Sequence, residues 1–239
     1  MESVSKDKFK VVGIDETQSE VIARPKIGYW QDAWRRLKSN KVAILALFIL
    51  LTIGIMTIIG PHLSGYKYEE IDPQARNLKP NKEHWFGTDE LGRDVFSRVW
   101  QAGRSSMIIG ISGALISTVV GSIYGSIAAY YGGRVDNIMM RIVEVLTSIP
   151  YLIVVILISV VTDTRTIGTM ILTLTLTGWC GMARLVRGQM LQIKQQEYIM
   201  AAEALGVSSW EIIKKHLIPN SLNVIIVAIT FDIPGYIFA

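Results

Sequence analysis

Five charged side chains, Asp89, Glu90, Arg93, Asp94 and Arg98, fall within the short run HWFGTDELGRDVFSRVW, which also holds two glycines. Paired carboxylates there could serve acid–base chemistry or hold a metal ion. The Asp/Arg alternation more simply makes ion pairs at a helix start, and His84 alone supplies no ligand pattern. Arg141 and Glu144 lie three apart on one helical face and read as a structural ion pair rather than a transport site. Asp232 differs from all of these, because it stands about a dozen residues into an apolar run, roughly 18 Å along at helical rise. A carboxylate in hydrocarbon is costly unless it meets water or a partner. Asp232 therefore either lines a water-filled passage or is hydrogen-bonded at a kink made by Pro234 and Gly235. Cys180 is the only cysteine, which excludes an intrachain disulfide and a thiolate metal cluster. No phosphate-binding Gly-x-x-x-x-Gly-Lys-Ser/Thr loop, His-Glu-x-x-His pair or Gly-x-Ser-x-Gly elbow occurs, so the sequence offers no catalytic, cofactor or metal site, and nothing in it hydrolyses ATP by itself.

The elements that must position these residues are membrane helices. Half of the residues are hydrophobic and the charges are gathered into a few blocks, a composition of a polytopic, all-α membrane protein with no nucleic-acid partner. Residues 1–41 form a polar N-terminal segment without the arrangement of a cleaved signal peptide. Within it Trp30, Trp34 and Leu37 recur at helical spacing beside Arg35, Arg36 and Lys38, which suggests an amphipathic helix on the lipid surface, a soluble linker with stray tryptophans being the alternative. Residues 42–60 carry no charge and reach roughly 28 Å as a helix, enough for span one.

Residues 61–106 form a polar loop, and 107–239 hold the remaining four visible spans. Met107 to Tyr131 is read as span two, Ile138 to Val161 as span three with a kink at Pro150, Thr166 to Val186 as span four, and the run from Ser221 as span five. Along span two Gly113, Ser117, Gly121, Gly125 and Ala129 recur every four residues, a stripe that lets another helix backbone approach, either within this subunit or at a subunit interface. Between Arg24 and Lys41 there are six basic residues and one acid, whereas the loop after span one is balanced. The positive-inside rule places the N-terminus in the cytoplasm, residues 61–106 outside, and residues 131–141 and 187–220 inside.

The inner segment 187–220 is a capped helical hairpin. Ala201 and Ala202 give it a small-residue face, Gly206 supplies a left-handed turn, and Ser208 with Glu211 has capping-box spacing. Val207 and Ile212 fall where a hydrophobic staple would sit, and Pro219 is expected to end the second helix before the next span. Such a hairpin faces water or a partner protein.

Three stretches carry a resemblance that runs from about the first span to the end of the chain. The outer loop resembles an FGTD-x-x-GRD-x-x-SR signature at Phe86, Gly87, Thr88, Asp89, Gly92, Arg93, Asp94, Ser97 and Arg98. The turn after span two is similar to a YYGG-x-x-D-x-x-x-MR pattern at Tyr130, Tyr131, Gly132, Gly133, Asp136, Met140 and Arg141, with Glu144 where aspartate is usual. The hairpin resembles the Glu-Ala-Ala cytoplasmic loop at Ala201, Ala202, Gly206 and Pro219, with Met200 in the glutamate position. These are features of the C-type permease subunits of oligopeptide, dipeptide and nickel ABC importers. The resemblance implies the type I importer permease fold in the cytoplasmic membrane, with a sixth span beyond Ala239. It implies a coupling helix from Tyr198 to Trp210, making Tyr198, Ala201, Ala202, Gly206, Trp210 and Pro219 the coupling residues; Asp232, by its depth in span five, is the candidate for the translocation path. It also implies the partners: a second permease subunit, two ATPase subunits, an extracytoplasmic binding protein and its peptide cargo. The competing reading is an ion- or proton-coupled transporter or channel, which would need ionisable residues strung through the spans.

The topology is testable with single cysteines introduced into a Cys180→Ser background and probed with an impermeant thiol reagent. Position 79 should label from outside and position 194 should not; the reverse pattern would overturn the orientation.

Overall fold

The computed structural model describes residues 28–163 and 166–238. The N-terminal segment through Ile27, Thr164 and Arg165, Ala239 and the side chains of Tyr29 and Trp30 lie outside that description, and so do the expectations placed on them. The chain divides into two units, Met1–Thr52 and Ile53–Ala239.

In the first unit α1 (Tyr29–Ser39) is an amphipathic helix. Asp32 pairs with both Arg35 (3.0 Å) and Arg36 (2.7 Å), and the Lys38 ammonium lies over the Trp34 ring. Asn40 breaks the helix with extended dihedrals, and its side-chain carbonyl then accepts from the N–H groups of Val42 and Ala43. That cap starts α2 (Lys41–Leu63), most of whose apolar side chains are exposed, as in a helix bordered by lipid, while Thr57 and Gly60 near its end are buried.

The second unit is built on α3 (Val95–Tyr131), 37 residues long and continuous. The expected span two began at Met107, but the helix starts twelve residues earlier. Ser97, Arg98, Gln101 and Arg104 interrupt the apolar run without interrupting the backbone, because Asp94 caps the first turn by accepting the Ser97 N–H at 2.8 Å. The loop before it is held by the charged run. Asp94 also meets His84 Nδ1 at 2.9 Å in a buried pair, and the His84 ring stacks on Tyr66. Asp89 takes Arg93 at 2.8 Å and Arg98 at 3.6 Å. Partial burial works against the Asp89 charge, but the backbone N–H groups of Arg93 and Leu91 and the Arg93 guanidinium outweigh it and hold the carboxyl below the usual range. The carboxylates are thus spent on ion pairs and a cap, and no cluster suited to a metal occurs among the described residues.

Only Gly132 separates α3 from α4 (Gly133–Ser148), Gly132 and Gly133 both having positive φ, so the short turn expected over residues 131–141 is helix apart from that one residue. The expected kink in span three is a full break. Ile149 adopts the extended dihedrals that a following proline imposes, and α4 meets α5 (Tyr151–Thr162) at 81°. Among the described residues four helices are long and apolar enough to cross a membrane, or five if this bent pair counts as one crossing.

Next comes α6 (Ile167–Lys194), opened by a capping box between Thr166 and Thr169 and running two turns past the expected end of span four. It lies along α3 in the most extensive helix pairing of the unit. The small-residue stripe of α3 makes that pairing possible. A methyl group at Gly125 would stand 2.4 Å from the Ala183 carbonyl oxygen and 2.9 Å from the Arg187 nitrogen, both backbone atoms of α6. Gly113, at the other end of the stripe, packs under the Tyr236 ring. These contacts are internal to this chain, which resolves the stripe as packing within the subunit. Gly125→Val should therefore force α3 and α6 apart and lower the melting temperature in detergent by several degrees, the scale of an overpacked core. Gly181→Ala, whose added methyl meets nothing within 4 Å, should leave it unchanged; equal behaviour of the two would disprove the close approach.

Candidate functional site

The hairpin follows α6 directly. α7 (Glu197–Ala204) ends in a turn whose hydrogen bonds are those of a Schellman motif: the Gly206 N–H donates to Glu203 and the Val207 N–H to Ala202, at 3.0 and 3.1 Å. Gly206 has φ +78°, the left-handed conformation expected of it. α8 (Ser209–Ile212) begins with Ser208 accepting the Glu211 N–H. The reciprocal half of the capping box is absent, because the Glu211 carboxylate turns to Lys215 instead.

The second helix does not stop at Pro219. It widens into a π-helical turn over Ile213–Leu217 and continues as α9 (Ile218–Phe238). In the widened turn the Ile218 N–H reaches back to Ile213, so the register is already shifted where the proline lacks its donor. The Asn220 side-chain amide donates to the His216 carbonyl at 2.6 Å. A proline placed just after a π turn is accommodated, and α8 to α9 forms one rod from the hairpin into the membrane.

One face of the hairpin is core. Ile199, Ile212, Ile213 and Leu217 are buried with Met190 and Ile193 of α6, Ile225 of α9 and Ala129 of α3. Ser221 adds a hydrogen bond to the Leu217 carbonyl and a contact to the Met190 sulfur. The two alanines part company: Ala202 packs against this cluster, whereas Ala201 faces out. The outward face carries Tyr198, Met200, Leu205 and Trp210, with Leu205 83% exposed and Trp210 56%. Pro219 is exposed but sits on the α9 side of the π turn.

The hairpin's root is tied by two contacts that sequence reading missed. Asp136 of α4 and Arg187 of α6 make a bidentate ion pair, and the Lys194 ammonium donates to the Tyr130 carbonyl while lying over its ring. Both pairs join residues more than fifty positions apart; the only signal was Asp136 itself, an acid in the first turn of α4. Arg141 and Glu144 pair at 2.8 Å on an exposed face, as expected, and border an open groove of about 890 Å³ with Arg184 and Asn137.

Asp232 lies in the second half of α9, which continues past Pro234 and Gly235 to Phe238. The hydrogen bond expected at a kink is not present among the described residues, nor is an ion pair. The carboxylate instead lines a cavity of about 300 Å³ with Tyr151, Thr177, Gly178 and Tyr236. The Tyr236 hydroxyl meets the Ser117 hydroxyl at 2.5 Å and lies directly over Gly178.

The chain matches the model of the binding-protein-dependent transport system inner membrane component over residues 117–239, and that of the N-terminal transmembrane domain of oligopeptide transport permease C over residues 28–80. It is 51% identical to the dipeptide transport system permease protein DppC of Bacillus subtilis over 222 residues, covering 93% of this chain and 69% of that one. It is 40% identical to the oligopeptide transport system permease protein OppC of the same organism over 238 residues, 100% of this chain and 78% of that one. The OppC protein of Escherichia coli K12 is 40% identical over 210 residues, 87% and 69% of the two chains. A polytopic helical unit with a capped hairpin rooted between its spans and this degree of identity along nearly the whole chain has one reading: the protein belongs to the family of inner membrane components of binding-protein-dependent transport systems.

Proposed function

We propose that this chain forms half of the pore of an ATP-driven peptide importer and that its 197–220 hairpin receives the stroke of an ATPase subunit. The observation that carries the coupling half of this reading is the two-sided hairpin. Its inner face is welded to α6 and α9, and its outer face is an apolar patch on an otherwise polar turn. A patch of Tyr198, Met200, Leu205 and Trp210 suits a cleft on a partner protein. The peptide cargo is supported by the dipeptide and oligopeptide permeases that the chain is similar to.

In this reading the N-terminus and the hairpin face the cytoplasm, in accord with the basic residues near the start of α2. Two ATPases sit beneath this chain and a second permease, and a binding protein delivers peptide from outside. ATP hydrolysis belongs to those separate subunits. A push on the outer face cannot be absorbed locally, because Ile199, Ile212 and Leu217 are locked against Met190 and Ile225. The rods α6 and α9 move instead, and the helices rock between two arrangements about the cargo path. The coupling residues are Tyr198, Ala201, Met200, Leu205 and Trp210 on the contact face. Gly206 sets the turn, and Ala202 and Pro219 support it from the inner side and the rod. The ion- or proton-coupled reading has no comparable support, since no train of ionisable groups runs through the described spans.

Leu205→Asp should leave the hairpin folded while placing a charge in the apolar contact. The expected result is normal insertion with loss of ATPase co-purification and of peptide uptake. Gly206→Val adds on the order of 1–3 kcal/mol of backbone strain at φ +78° and should weaken both in parallel. Ala202→Trp should instead reduce the stability of the subunit, since the space beside it is core. Wild-type uptake and ATPase retention in Leu205→Asp would refute the coupling surface.

A further inference from the structure

Two neighbouring cavities open between α3, α5, α6 and α9. The first, about 410 Å³, is lined mainly by apolar side chains such as Ile109, Val155, Met170 and Ile237. The second, about 300 Å³, contains Asp232. Leu174, Tyr151 and Tyr236 line both, so the two are compartments of one space divided by a pair of tyrosines. Ser221 to Asp232 is eleven residues, which puts the carboxylate about 16 Å along α9 from the hairpin end, in the middle of the membrane.

A carboxylate at that depth, lining a cavity and making no hydrogen bond or ion pair among the described residues, is the kind of group that water or a cation stabilises. Resting on the peptide-import reading, we propose that Asp232 binds the α-ammonium group of the peptide in transit, while the adjoining apolar compartment takes a side chain. The amino terminus is the one cation that every unmodified peptide carries whatever its sequence. A single carboxylate can therefore hold a peptide by its end without reading the residues that follow. The apolar compartment beyond the tyrosines is sequence-tolerant in the same way, because dispersion and burial favour any hydrophobic side chain that fits. The rim of the site has the matching chemistry: the Thr177 and Tyr151 hydroxyls can accept the remaining ammonium hydrogens. The Tyr236 hydroxyl is paired with that of Ser117.

The test uses the assembled transporter, with its second permease and ATPases, in proteoliposomes supplied with loaded binding protein. Asp232→Asn removes the charge at constant shape, and Asp232→Glu keeps it. The cargo is a tripeptide carrying a photoreactive leucine at either its first or its last position, with both termini free. In Asp232→Asn, co-purification of all subunits should match wild type, while uptake falls about tenfold or more, the loss of one charge-assisted hydrogen bond. Asp232→Glu should retain uptake. Photolysis of the wild-type complex should join the first-position probe to the 174–178 or 231–236 segment in preference to the last-position probe, and Asp232→Asn should abolish that preference. Unchanged uptake in Asp232→Asn, or preferential cross-linking from the last position, would overturn the assignment. Loss of the second permease from the Asp232→Asn complex would also overturn it, by showing that a subunit contact holds the charge. A wild-type complex that takes up no peptide would instead refute the import reading beneath it.

Discussion

The close approach of α3 and α6 is the constraint on which the second unit depends. In lipid the hydrophobic effect does not press helices together, so association must come from tight packing and polar contacts. Gly121 and Gly125 bring the two backbones near enough that an added methyl on either would overlap main-chain atoms of α6. That contact fixes where Arg187 emerges, and Arg187 fixes α4 through Asp136. It also fixes Met182, Val186 and Met190, the surface on which the hairpin and the first half of α9 are laid. Removing the glycines would disturb the core, the inner rim and the hairpin together.

The same geometry makes the hairpin rigid, as the proposed handle role requires. Most loops between spans move independently because few buried groups tie them down. This one inserts Ile199 and Ile212 into the bundle and enters α9 through a π turn rather than a flexible link. The turn at Gly206 is the sole sharp reversal, and its two Schellman hydrogen bonds set the angle between α7 and α8. Rigidity and an apolar outer face are different requirements, and the alanine pair divides them, with Ala202 serving the first and Ala201 the second.

What could be read from the sequence was local. The left-handed Gly206, the Ser208 cap, the ion pair of Arg141 with Glu144 and the membrane composition all follow from neighbours within a turn or two. Where reading failed, a local signal was modified by something nonlocal or by a different backbone option. Pro219 reads as a stop until the π turn removes the need for its donor. Pro150 reads as a bend, but with Ile149 extended it separates two helices at 81°. Hydropathy placed the start of α3 at Met107, since a scale that sees only apolar residues passes over the Asp94 cap and the polar first turns behind it. The Asp136 to Arg187 and Ser117 to Tyr236 contacts join residues far apart in sequence, and nothing at either end names its partner.

The break at Pro150 also bears on where cargo can pass. Irregular backbone at membrane depth is tolerated where protein or a water-filled space covers it, and freed carbonyls need other donors. Here the Ser148 hydroxyl donates to the Val145 carbonyl and the Thr147 hydroxyl to those of Val143 and Glu144, so side chains of the last turn of α4 reach back to its own carbonyls. Thr147 in turn accepts from Arg184 of α6. The residue immediately after the break is Tyr151, which lines both cavities. A hinge, a tyrosine and the Asp232 cavity thus adjoin one another, and any change in the angle between α4 and α5 must alter the wall between the two compartments. Because α4 is anchored to α6 by Asp136 and Arg187, and α6 leads into the hairpin, that angle is, under the proposed coupling, the structural variable through which motion at the hairpin would reach the carboxylate.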